Sequence, residues 1–395
     1  MFQRSHLQVL TDRIAEKRKS IFVLTGPRQV GKTTLIRQLL EKDLMPTYFV
    51  SADDASDPAS ETWIDQQWEK ARLMLKNGSS ESVVLIIDEI QQIKEWSRTI
   101  KRNWDSDTLK KLNVKVILLG SAQMLLQKGL SESLGGRFEV IPVNHWQFAE
   151  MQSAFGVTAN EYAWFGGYPG AAELMKDEYR WKDYVNNALI ETTLFKDILL
   201  LNRIDKPSLL RQLFDLACNY SGQILSFNKI LGQLQEAGNS STLTNYLHLL
   251  SGAGFVSGIP KYYKDTLHQK NSIPKLQVLN TAFIAARSTR LYEKVTNDPV
   301  EWGRVVESAV GAHILNSMNE GRYKTYYWRE RNDEVDFVLQ KDEKIIGLEV
   351  KSGNTNKAKG ITAFQKYFNP DKVYMVGNSG ILWEDFLKMN PGELF

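Results

Sequence analysis

Residues 26–33 read Gly26-Pro27-Arg28-Gln29-Val30-Gly31-Lys32-Thr33, followed by Thr34, and fit the spacing G-x-x-x-x-G-K-[ST]. Glycines at the two ends let backbone N–H groups curl around a phosphate, and a helix starting there adds its positive end. Lys32 supplies a charge for the β/γ oxygens and Thr33 a hydroxyl for Mg²⁺. This chemistry needs a strand entering the loop and a helix leaving it. Residues 21–25 are an apolar run and residues 33–40 an amphipathic one, as required.

A second, independent pattern is Val83-Val84-Leu85-Ile86-Ile87-Asp88-Glu89, an apolar run ending in two carboxylates. Acids at the carboxyl end of a central strand stand where open α/β sheets bind ligands. Asp88 is expected to hold Mg²⁺ through water, and Glu89 to polarise the water that attacks the γ-phosphate of ATP.

The elements that must position these groups follow from the pattern around them. Five short apolar runs, at 21–25, 47–50, 83–87, 115–119 and 138–142, alternate with helical stretches. That pattern predicts a parallel α/β sheet covered on both faces, over residues 1–150. Residues 151–205 turn helical and are expected to form a lid, with a turn at Gly166-Gly167-Tyr168-Pro169-Gly170.

The sequences GPRQVGKTT, LIIDEIQ and LLGSAQMLL resemble a bacterial and archaeal branch of the AAA-type ATPases that bears a C-terminal endonuclease-like domain. GGYPGAAEL and the C-terminal motifs fit the same family. The resemblance implies that Ser121 matches the polar sensor position. It also implies that Arg137, in Gly135-Gly136-Arg137, matches a glycine–arginine step whose arginine contacts the γ-phosphate within one chain or across a subunit contact. A homo-oligomer is compatible with the second option.

Residues 206–290 resemble a winged helix: helices at 211–218 and 226–234, then a third from the cap Asn239 through Leu250, and a strand pair near 255–263 and 275–279. The block carries 9 basic and 3 acidic residues, a net of +6, whereas residues 1–205 total −1 and residues 291–395 total −2. It is therefore the candidate DNA-contacting part. Its third helix has no Lys or Arg, so Lys261, Lys264, Lys270 and Lys275 of the wing are the expected phosphate contacts. Cys218 reads as a core residue.

Residues 291–395 give a helix at 302–318 and a hairpin of strands at 333–339 and 345–352. Alternation sets Asp336 with Val338, and Glu349 with Lys351, on one face of their strands. This resembles the restriction-endonuclease-like fold, whose signature is an acid followed by acid-x-lysine. The resemblance implies that Asp336 and Glu349 bind a second Mg²⁺ or Mn²⁺, Lys351 orients or activates water, and Glu307 adds an acidic contact. The proline common before the first acid is Val335 here. His313 has no partner at metal-ligand spacing.

Composition sets the outer bounds. With 395 residues the chain holds two or three domains, and 43% hydrophobic with 24% charged residues excludes disorder. One cysteine excludes a disulfide framework, and no apolar run approaches the roughly 18 residues of a membrane span. The expectation is a cytoplasmic ATP-hydrolysing protein that couples nucleotide state to DNA binding or processing. The competing expectation is a nucleotide-controlled protein-interaction switch with an inactive C-terminal domain.

Overall fold

Helices cover both faces of a parallel sheet, so its strands stay apolar at every position. In the computed structural model β1 (Ile21–Gly26), β2 (Thr47–Ser51), β3 (Val83–Asp88), β4 (Val114–Ser121) and β5 (Phe138–Pro142) pair in the order β2-β3-β4-β1-β5, all parallel. The inner strands β1 and β3 are buried throughout, while the edge strands β2 and β5 are largely half-buried. Successive residues feed opposite cores. Leu24, Val84 and Ile86 meet α1 (His6–Ala15) and α2 (Lys32–Glu41) through Leu10, Ile14, Leu35 and Ile36. Val23, Leu85 and Ile87 meet α3 (Glu61–Asn77) and α4 (Trp96–Lys110) through Trp68, Ile100 and Trp104. The structure describes residues 2–54, 61–121, 134–199, 204–233, 239–264, 272–351 and 359–395.

The chain divides after Asn144 into two compact units, Met1–Asn144 and His145–Phe395. The expected boundary at 150 lies close to this division, and the expected boundaries at 205 and 290 fall within the second unit. The helices Phe148–Phe155, Ala159–Phe165 and Glu178–Tyr184, expected as a lid, belong to the second unit. Ala159–Phe165 packs there against the helices Ala282–Arg287 and Pro299–Gly321, burying Tyr162, Trp164 and Phe165.

Residues 206–290 give the helices Pro207–Asn219, Phe227–Gln233 and Ser240–Gly252, and a small antiparallel sheet of β6 (Gln223–Ile224), β7 (Val256–Ile259) and β8 (Lys275–Val278) in the order β6-β8-β7. Asn239 caps the third helix as its sequence predicts, its side-chain oxygen accepting from Thr242 N–H at 2.8 Å. Then come the long helix Pro299–Gly321 and a four-stranded sheet, β12-β11-β10-β9, of β9 (Lys324–Glu330), β10 (Asp333–Lys341), β11 (Lys344–Lys351) and β12 (Lys372–Gly377). The first three are antiparallel neighbours; the helix Lys359–Phe368 precedes β12, which returns parallel to β11. Among the described residues no helix is long and apolar enough to cross a membrane.

Candidate functional site

Because all five strands of the first sheet run one way, their carboxyl ends share an edge. Gly26 and Ser121 pair there, β3 ends there in Asp88, and α2 starts at Lys32 directly beyond the loop. Its cap, Gly31, has φ +92°, a left-handed backbone that glycine adopts without strain. Val30 is buried and anchors the loop, while Gln29, Thr33 and Thr34 are exposed. The Lys32 ammonium donates to the carbonyls of Gly26 (2.9 Å) and Pro27 (2.7 Å), inside the curl of the loop.

β4 lies between β1 and β3, so the acids stand about 10 Å across the sheet from the loop strand. Thr33 closes that gap: its hydroxyl donates to Asp88 Oδ2 at 3.0 Å. A hydroxyl and a buried carboxylate facing each other are the hard oxygen donors Mg²⁺ takes, and the two residues fit that ion. Asp88 Oδ1 accepts from Glu89 N–H at 2.9 Å, and Glu89 itself has a left-handed backbone at φ +51°. The Glu89 carboxylate also accepts from Gln91. Burial and the Asp88 charge raise the Glu89 pKa above the ordinary carboxylate value, while Lys32 and Arg28 pull it back. A carboxyl shifted toward neutrality is a stronger base for a water proton.

Two expected residues stand differently. β4 brings Ser121 beside the loop, but its side chain lies outside the described residues. Arg137 stands at the wrong edge: its carbonyl accepts from Ile21 N–H at 2.7 Å, at the amino end of β1. Six strand residues, about 20 Å, separate it from the loop. Its guanidinium instead pairs with Asp105 on α4, at 2.7 and 3.1 Å. Contact with the γ-phosphate of its own chain is therefore corrected to a structural ion pair.

The acids of the second unit also come together. Phe337 pairs with Leu348, which brings Asp336 and Glu349 abreast on β10 and β11. A bulge between Val335 and Val338 breaks the expected alternation, so both valines enter the core around Phe364. Asp336 Oδ2 accepts from Val350 N–H at 2.8 Å, and Lys351 lies 2.7 Å from Glu349 Oε1. Glu349 Oε2 is buried with no hydrogen-bond partner among the described residues. Burial, and then the Asp336 charge, push the Glu349 pKa up to about 7.

The residue that sequence reasoning missed here is Lys275. Expected on a solvent-facing wing, it is fully buried at the start of β8, with its Nζ 2.8 Å from Glu307 Oε1 and 3.6 Å from Asp336 Oδ1. Burial lowers its pKa, but Glu307 and Asp336 more than reverse this and hold the ammonium charged. Burial raises the Glu307 pKa, Lys275 pulls it back and the Asp336 charge adds to the rise. Asp336 and Glu307 are thus already engaged. With the Lys275 ammonium held between them, the donor set does not fit the expected second divalent ion.

Other basic groups of the middle block are also paired. Arg211 and Arg287 meet Glu191, Arg290 meets Asp298 and Glu301, and Lys261 lies 3.5 Å from Glu330. Lys270 lies outside the described residues. Cys218 is buried, as expected of a core residue, and burial raises its thiol pKa.

Residues 18–152 match the family described as AAA domain. Residues 157–291 and 302–381 match two families described as domains of unknown function, DUF8612 and DUF4143. Similar proteins include the uncharacterized proteins Rv2008c of Mycobacterium tuberculosis and Mb2031c of Mycobacterium bovis, each 27% identical over 352 residues, covering 87% of this chain and 73% of theirs. Among solved structures, the Thermotoga maritima RuvB Holliday junction branch migration motor aligns over 65% of this chain and 88% of its own, at 16% identity and TM-score 0.31. The Aeropyrum pernix Orc1 protein in complex with DNA aligns over 73% and 91%, at 11% identity and TM-score 0.30. Likenesses that distant do not bear on activity. The family match and the loop together make residues 18–152 an AAA-type P-loop ATPase domain.

Proposed function

We propose that this protein binds and hydrolyses ATP at the first sheet's carboxyl edge and that nucleotide state governs binding by its second unit. The observation that carries the reading is the Thr33–Asp88 contact at 3.0 Å, with Glu89 beside it. It supports reading Thr33 and Asp88 as the metal-binding hydroxyl and acid, and Glu89 as the base, around one phosphate cradle. Bound Mg²⁺ would neutralise phosphate charge. The chain's own part is to hold the phosphates on loop N–H groups and Lys32, and to take a water proton on Glu89. Ser121, at the same edge, is proposed as a polar contact to the nucleotide or its water. Lys32→Ala tests this reading. ATP affinity or turnover is expected to fall about 10²–10³-fold, the cost of one preorganised donor to transferring phosphate. Unchanged hydrolysis would overturn it.

For the second unit, helix-strand-helix-helix-strand-strand with strand order β6-β8-β7 supports a winged-helix reading. The helix-hairpin-strand-helix-strand order supports a restriction-endonuclease-like fold. DNA remains the candidate partner through Lys229 and Lys264. The paired state of Arg211, Lys275, Arg287 and Arg290 favours an output of binding over cleavage. DNA-stimulated ATP hydrolysis that weakens steeply with salt supports DNA as partner; salt-insensitive or absent stimulation supports a protein partner.

A further inference from the structure

The acidic cluster of the second unit already has a cation. Lys275 Nζ donates to Glu307 Oε1 (2.8 Å) and to the Asp336 backbone carbonyl (3.3 Å), and lies 3.6 Å from Asp336 Oδ1. Two of the ammonium's three N–H donors are used in hydrogen bonds, and Asp336 Oδ1 stands beside them at ion-pair distance. The Phe337 ring adds its negative face, 4.7 Å from Nζ. Two carboxylates and a carbonyl are also what a divalent ion would take, and a second cation beside this one would meet strong repulsion in a buried setting.

The lysine is also held in place. Its strand, β8, is paired on both sides, Lys275 matching Ile224 on one and Ile259 on the other. Two residues on, the Gln277 side chain donates to the carbonyls of Ser308 and Val278, both at 2.9 Å. At Gly311 on the long helix, a Cβ would fall 2.3 Å from Gln277 Oε1 and 2.8 Å from Phe337 Cζ. Strand, helix and hairpin therefore meet in close contact two residues from the lysine, on the same strand.

We infer that Lys275 is the resident cation of the Glu307–Asp336–Glu349 cluster, taking the place of a divalent metal and fastening β8 to the endonuclease-like hairpin. This part of the protein then takes up no Mg²⁺ or Mn²⁺. The inference deepens the non-cleaving reading proposed above and rests on it.

The test is a Mn²⁺ titration of the full-length, nucleotide-free protein, read by electron paramagnetic resonance of free Mn²⁺. The wild type is expected to show no Mn²⁺ uptake that Glu349→Gln removes. Lys275→Met, which keeps the stem and deletes the charge, is expected to gain a site at least about tenfold tighter than anything in the wild type. Adding Asp336→Asn to it should abolish that site. Wild-type uptake lost in Glu349→Gln overturns the inference, and so does a folded Lys275→Met that gains no site. If Lys275→Met does not fold, the wild-type comparison with Glu349→Gln decides alone. A DNA-cleavage assay separates the two readings. Cutting without Mn²⁺ uptake would sink the non-cleaving reading only, whereas uptake without cutting would sink only the resident cation.

Discussion

The loop edge of the first unit and the acid cluster of the second are built from the same residue types, two or three acids and a lysine, with opposite results. In the first, Lys32 rests on carbonyl dipoles of its own loop, at 2.7 and 2.9 Å, and Thr33 and Asp88 face each other with oxygen donors. In the second, Lys275 arrives from a strand 61 residues away and is gripped by charged carboxylates. A cation on neutral carbonyls can turn toward an arriving phosphate at modest cost, while one locked between buried acids cannot leave without exposing them. Residue type sets what a site can do; the origin of its counter-ion sets whether it does it.

The sharpest way to break this contrast is Glu89→Gln. Loss of a positioned base lowers turnover by about 10²–10⁴-fold, with ATP binding retained. Hydrolysis at the parental rate would remove Glu89 from the chemistry. On the other side, Lys275→Met should lower unfolding stability by about 3–5 kcal/mol in denaturant titration, because it strips a buried pair of one partner. An exposed wing lysine would leave the midpoint unmoved.

A pH series sharpens the picture of the second unit. His313 is buried, hydrogen-bonded to Gln147 (2.7 Å) and to the Met389 carbonyl (2.9 Å). Burial depresses its pKa to about 4, the Met389 carbonyl opposing. The two ring nitrogens face Gln147 Oε1 and the Met389 carbonyl, so a neutral ring donates to one of the two oxygens. A depressed histidine contributes stability that is complete above its unfolded value near 6.5 and is lost as pH falls toward 4. The linked loss between those two values is about 3 kcal/mol. In urea midpoints, His313→Gln should flatten that stretch relative to wild type. The smallest expected effect is that of Arg137→Ala. Single-turnover hydrolysis by the isolated chain should be unchanged, since the guanidinium sits at the far edge of the sheet; a loss of hydrolysis would point to a contact across subunits.

Much of the first unit was legible because its signals are contiguous. The loop, the acid pair and the strands are each set by residues within one short run, so a β-branched apolar stretch ending in Asp88-Glu89 has one sensible place in a covered parallel sheet. The domain partition was less legible. The helices of residues 148–184 follow the first sheet in the chain but bury Trp164, Phe165 and Trp181 within the second unit, and adjacency in sequence gives no hint of that.

By itself, then, the sequence determined the phosphate loop, its acids, the apolar strands and the Asn239 cap, all of them local patterns of spacing and period. Only the tertiary structure decided the fates of Arg137 and Lys275. Lys275 and Gln277 alternate with Leu276 and Val278, the signature of a strand with one wet face, yet all four are buried. The polar face of that strand is covered by Glu307 and Asp336, which lie 32 and 61 residues further along the chain. Periodicity reports that a face is polar; whether water or a carboxylate satisfies it depends on which distant element folds against it.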